Sequence, residues 1–293
     1  MFHDLNGISV VSLAVNLPGP LASARLRALG ARVTKIEPPA GDPLASVSPT
    51  WYRELSEGQD VLTIDVKAHP ERMHALLADA DLLITAMRPS ALQRLGLGNI
   101  HERFPRLCHI EIVGADGDGA ERPGHDLTYQ AAHGTLAPPA MPTVPVADLL
   151  GAERSVAAAL LALRHRDATG AGGRHRVALE DAAADAGAAV RHGLTGGGAP
   201  LGGALPGYGI YATADGHLAL GALEPHFWER TCAALTVPGT HSGLAAAFAS
   251  RTTAEWERWA GAHDVPLAAV RVPSPADGPG TAHNTKPPSG VTS

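Results

Sequence analysis

Aromatic side chains are scarce. Phe, Trp and Tyr occur four times each in 293 residues, fewer together than the 15 His, so the core must be built from Ala, Val, Leu and Ile. Cysteine is rarer still: Cys108 and Cys232 cannot form a disulfide framework, and no CxxC pair exists. A reduced, cytoplasmic setting is therefore expected. Positive charge is not in excess either, since 23 Lys and Arg stand against 29 Asp and Glu for a net charge of −6. With no basic stripe, nucleic acid and anionic membrane surfaces are not expected partners. Long apolar runs are missing too. The longest, Val156 to Leu163, falls well short of the roughly 20 residues of a membrane span. The opening MFHDLNG lacks the charged and apolar regions of a signal peptide.

What is abundant is Gly (33) and Pro (24), without a repeat or collagen-like period. The length fits one or two domains. Residues 7–13 (GISVVSL) read as a buried strand. The turn Leu17-Pro18-Gly19-Pro20 and the helix LASARLRALG follow, with Gly30 as the stop. ARVTKIE is the next strand, which completes a βαβ unit. The alternation continues through VLTIDV (61–66), a helix at 69–80, DLLITAM (81–87), a short helix at 89–98 and LCHIEIVG (107–114). This is the pattern of a parallel sheet with helices on both faces, an α/β fold of Rossmann-like kind. A long Ala-rich helix is expected at about 147–165, then a turn (TGAGGRHR) and a strand in VALED.

The stretch 194–207, rich in Gly and Pro, reads as a linker. Beyond it, alternation around Asp215-Gly216 signals a hairpin. Helices in EPHFWERTCAAL and TTAEWERWAGAHD and a strand in PLAAVRV complete a smaller α+β domain. The expected division is a large domain over 1–198, a small domain over 199–273 and an irregular tail over 274–293.

Motif by motif, several chemistries find little support. The turn at Asn16 to Pro20 is not a GxGxxG, although a helix N-terminus there could accept a phosphate. No HExxH or GxSxG is present. His165 and His175 flank a Gly turn in RHRDATGAGGRHR, which reads as a solvated loop, so no metal is expected. More telling are ionisable residues at helix starts: His125 and Asp126 before LTYQAAHG, Asp148 before an apolar helix, and Glu224 before Pro225. Each has a structural alternative as a cap or cap neighbour. Grouped, they are the raw material of a general acid/base site.

Six segments carry a resemblance to the class III CoA-transferase (CaiB-like) superfamily, which also contains α-methylacyl-CoA racemase. They are GISVVSLAVNLPGPLASARLRALGARVTKIEPPAGDP, LTIDVKAHPE, ADLLITAMRPSALQRLGLG, RPGHDLTYQAAHG, RDATGAGGRHRVALEDAAA and YGIYATADGHLALGALEPHFW, together covering about residues 5–272. The resemblance implies that His125 and Asp148 are the two α-carbon acid/bases, that Glu224 supports His125, and that backbone N–H groups at the Asp148 helix start hold an enolate oxygen. It places Arg88, Lys35, Pro18, Gly19 and Asp126 at the acyl-CoA substrate, with Lys35 open to a second reading as a solvated strand-end lysine. No cofactor beyond the coenzyme A of the substrate is implied.

The implied activity is an acyl-CoA racemase or epimerase. The alternatives are a CoA-transferase with Asp148 as nucleophile, or a degenerate CoA-binding member without turnover. An interlocked homodimer is the implied assembly, and against the family pattern, whose C-terminal segment returns to the large domain, the chain looks short by several tens of residues. Departures from the family pattern are Ser90 for Gly, Gln59 for Lys, the Gly-poor ADLLGAE and a compact loop between His125 and Asp148.

Overall fold

The computed structural model describes residues 4–271. The tail expectation at 274–293 lies outside the described residues. The chain divides into two compact units between Ala188 and Ala189, ahead of the Gly- and Pro-rich stretch read as a linker.

The first unit runs β1 (Ser9–Ser12), α1 (Pro18–Ala28), β2 (Arg32–Glu37), α2 (Pro43–Val47), α3 (Pro49–Ser56), β3 (Asp60–Thr63), α4 (Pro70–Ala78) and β4 (Leu82–Ala86). It continues with α5 (Pro89–Arg94), α6 (Ile100–Arg103), β5 (Cys108–Val113), α7 (Asp126–Ala132), α8 (Val146–Thr169), β6 (Gly173–Ala178) and α9 (Leu179–Ala186). The six strands are all parallel in the order β3-β2-β1-β4-β5-β6. The order reverses between β1 and β4, and a crevice opens at the carboxyl ends of strands at such a switch point.

Alternation along the strands builds two cores. Val10, Leu82 and Ile84 face α1 and α8, while Val11 and Leu83 face α4, α5 and α6. Pro opens many of the helices, including α1, α2, α3, α4 and α5. At the first helical position its missing N–H costs nothing.

The second unit, after the short α10 (Ala188–Arg191), carries the hairpin β7 (Tyr208–Ala212) and β8 (His217–Gly221), turned at Asp215-Gly216. α11 (Pro225–Leu235), α12 (His241–Phe248), α13 (Thr253–His263) and β9 (Leu267–Ala269) follow, and β9 pairs antiparallel with β8. Phe248 and Trp256 meet edge to face in its core. No helix among the described residues is long and apolar enough to cross a membrane.

Several local expectations change. α1 begins inside the Leu17–Pro20 turn, at Pro18. β6 begins at Gly173, so GRHR is strand rather than turn, paired residue by residue with β5. Its Arg176 is drawn onto the buried Glu111 at 2.9 Å, an attraction invisible in local sequence. The short helices α2, α3, α6 and α12 have no counterpart in the sequence reading; they are stabilised by tertiary packing more than by their own propensity.

Candidate active site

A cavity of about 450 Å³ lies in the first unit, lined by residues that follow three strands. Asn16 comes from the loop after β1, Pro18 from the first position of α1, Arg88 from the N-cap of α5 after β4, and Gly114 from just past β5. His125 and Tyr129 of the α7 region and Asp148 of α8 complete it. This is the crevice that the switch between β1 and β4 creates. Within it the fold brings together His125, Asp148, Arg88 and Pro18, four residues singled out from sequence.

His125 is the N-cap residue of α7, and its own backbone N–H donates to Thr128 Oγ1 at 3.1 Å. The cap position belongs to His125 and not, as expected, to Asp126. Asp148 does not cap α8 either. The N-cap there is Pro145, and Asp148 lies in the first turn. Its carboxyl accepts no hydrogen bond among the described residues. Burial, followed by the nearby Asp126 carboxylate, raises its pKa to about 7. A carboxyl tuned to neutral pH can both give and take a proton under working conditions.

Asp126 is not free for a ligand. Its Oδ1 accepts the backbone N–H of Ala147 at 2.8 Å and of Asp148 at 3.3 Å, and its Oδ2 accepts from Gln130 Nε2 at 2.6 Å. Two expectations fall with this. Asp126 serves the next helix rather than substrate, and the amides at the Asp148 helix start are already taken. At the start of α7, no acceptor among the described residues takes the amides of Asp126 and Leu127.

Lys35 is also placed otherwise. It is 1% exposed, with Nζ 2.8 Å from Glu37 and 2.6 Å from Asp42, beneath the Tyr52 ring. It is neither a solvated strand-end lysine nor open to a phosphate. Burial and the Glu37 carboxylate push Tyr52 up to about 12. Gly19 is buried and does not line the cavity; a Cβ there would collide with Ala14, so its role is close packing of α1. Pro18 and Pro20 leave Gly19 as the one N–H among the first three residues of α1, a poor anion cradle. Glu224 stands at the N-cap of α11 in the second unit, exposed and without a side-chain cap bond.

The cavity also holds residues that sequence reading missed. Tyr129 follows His125 by four residues, the spacing that shares a helix face, and that spacing was the available signal. It is 8% exposed, and its pKa is raised by burial and then by the carboxylates of Asp148 and Glu180. Arg94 follows Arg88 on the short α5, and Arg122 closes the turn before α7; with Arg88 they make three guanidinium groups around one cavity. Asn16 adopts φ +69°, a conformation Asn tolerates better than most residues. No group of three or more His, Cys, Asp or Glu among the described residues could hold a metal ion.

A family model described as CoA-transferase family III matches residues 5–284. A "Probable fatty acyl-CoA transferase Rv3272" of Mycobacterium tuberculosis is 30% identical over 78% of this chain and 68% of that protein. Its crystal structure aligns with a TM-score of 0.78 at 25% identity, covering 92% of this chain and 84% of that one. The human alpha-methylacyl-CoA racemase is 28% identical over 86% of this chain and 74% of its own. Against a cinnamoyl-CoA:phenyllactate CoA-transferase of Clostridium sporogenes, 33% identical, the chain spans only 35% of the relative's length.

Proposed function

The chain belongs to CoA-transferase family III, and we propose that within it this protein is an acyl-CoA α-carbon racemase or epimerase. The observation that supports this best is that His125 and the unpaired carboxyl of Asp148 line one cavity. A thioester acidifies its α-hydrogen because the carbanion delocalises onto the carbonyl oxygen. Inversion then needs one group to take the proton from one face and another to return a proton to the opposite face. A neutral His125 imidazole takes the α-proton, and protonated Asp148 delivers its own. The reverse reaction exchanges the roles. A carboxyl with a pKa of about 7 holds a proton often enough to be the donor. Arg88, Arg94 and Arg122 supply the positive charge that an acyl-CoA's phosphates require.

A role for Glu224, the implied homodimer and the absence of any cofactor beyond coenzyme A belong to the same proposal. Incubation with a 2-methylacyl-CoA in deuterated water should give exchange at the α-carbon. His125→Ala should suppress it by about 100-fold or more from one epimer. No exchange with any branched acyl-CoA overturns the reading.

A second reading, CoA transfer through an acyl anhydride on Asp148, is favoured by the names of the bacterial relatives. It predicts a hydroxylamine-trapped adduct on Asp148 and movement of CoA to a free carboxylate, without α-exchange.

A further inference from the structure

We propose that Asp126 is a positioning residue for Asp148: its carboxylate ties the start of α7 to the start of α8 and fixes where the Asp148 side chain enters the cavity. This rests on the reading of Asp148 as an acid/base group. α8 starts after Pro145, which offers neither a side-chain acceptor nor an N–H. Its first amides would be orphaned without an outside partner. Asp126, 21 residues earlier, supplies it through Oδ1 to Ala147 N and Asp148 N.

Oδ2 is held by Gln130, one turn further along α7 and only 2% exposed. The same Gln130 amide nitrogen donates to Val144 O at 3.0 Å, and its Oε1 accepts from Thr135 Oγ1 at 3.1 Å. Both ends of the segment between the two helices are thus tied to one carboxylate–amide hub. Three donors engage the Asp126 carboxylate, two on Oδ1 and one on Oδ2.

The hub also places a negative charge beside Asp148. The other ionisable groups around the cavity are His125 and Tyr129 of α7, Arg88 and Arg94 of α5, and Arg122 before α7. None of them hydrogen-bonds the Asp148 carboxyl. From the remaining elements packed on α8, Arg25 of α1 is engaged by Glu153, Arg176 of β6 by Glu111 and Asp116, and Glu180 of α9 faces Arg122 and His133. Asp126 is therefore the charge that most directly bears on Asp148 ionisation.

The test compares Asp126→Asn and Asp126→Ala in the full chain, with Asp148→Asn alongside. Ionisation of Asp148 is followed by isotope-edited NMR of the aspartate carboxyl carbons, independently of turnover. Asn keeps an acceptor for the α8 amides, exchanges the oxygen facing Gln130 for a donor, which a turn of the Gln130 amide can meet, and removes the charge. It should fold normally, keep KM, and move both the Asp148 titration and the matching limb of the kcat profile to lower pH. Ala removes the hub and should lower kcat about tenfold or more with little change in KM. A raised KM with unchanged kcat would make Asp126 a substrate contact and overturn the proposal. So would an Asp148 titration that neither variant moves. If Asp126→Ala does not fold, the Asn variant decides alone. If Asp148→Asn stays active, the acid/base reading fails, while the NMR titration still decides whether Asp126 governs Asp148.

Discussion

Lys35 Nζ lies 2.6 Å from Asp42 Oδ2, and the other oxygen of that carboxylate accepts the Asn16 backbone N–H at 2.9 Å. A buried ion pair under the sheet is thereby coupled to the loop that enters the cavity at the switch point. Asp42 also accepts the Leu44 N–H at 2.9 Å, so one carboxylate holds the loop after β1 and the start of α2 together.

Breaking this pair should destabilise the fold before it touches ligand affinity. Lys35→Met leaves Glu37 and Asp42 as buried carboxylates without their cation, a loss of about 3–5 kcal/mol. Urea unfolding measures it. A phosphate-binding lysine would instead give unchanged stability and weaker CoA binding by calorimetry.

Asp148 should trade stability for chemistry. Its carboxyl titrates at about 7 in the folded chain and near 4 in an unfolded one. Between those values the folded chain holds the extra proton, so this group's contribution falls as pH rises and reaches its full penalty above about 7. Asp148→Asn removes the penalty. The variant should be more stable than the parent at about pH 8 and no more stable at about pH 4, measured by denaturant midpoints. Its α-exchange activity should be lost.

The glycines around Tyr129 should respond differently to one added carbon. A Cβ at Gly114 would collide with the Tyr129 hydroxyl, but the next ring carbon is 3.3 Å away. A Cβ at Gly124 would meet ring carbons at 2.6 Å as well as the hydroxyl. Each Ala substitution should cost about 1–3 kcal/mol. Adding Tyr129→Phe should recover most of the loss for Gly114→Ala and little for Gly124→Ala, read by thermal denaturation of the four variants.

His109 should make the chain acid-labile. It is fully buried on β5, with Nε2 2.8 Å from Thr85 Oγ1. Burial, then His101 and Arg174, lower its pKa from 6.5 to about 3. Its contribution is intact above 6.5 and is lost as pH falls toward about 3, because the unfolded chain takes up the proton first. The slope is about 1.4 kcal/mol per pH unit. His109→Gln should flatten this limb of stability against pH, whatever its absolute stability.

Much of the fold was legible because its signals are local. Pro70 marks a helix start, Gly30 a helix stop, Asp215-Gly216 a hairpin, and the alternation of strands with helices the parallel sheet. His125 and Asp148 were legible as ionisable residues at helix starts, and the cavity brings the two together. Tyr129 was within reach too, through its four-residue spacing from His125. Other features escaped because their partners lie far along the chain. β6 is extended back to Gly173 by pairing with β5, 65 residues earlier at the Arg176–Glu111 pair.

The amino-acid sequence by itself determined most of the longer helices and strands, and hence an α/β sheet followed by an α+β unit, since propensity, capping and periodicity act within a few residues. Only the tertiary structure decided what the polar residues do. Lys35 became a buried counter-ion and Asp126 a cap for another helix, while Asp148 was left unpaired in a cavity. Those roles depend on desolvation and on donors brought close by the strand order, and neither exists until the sheet has closed around them.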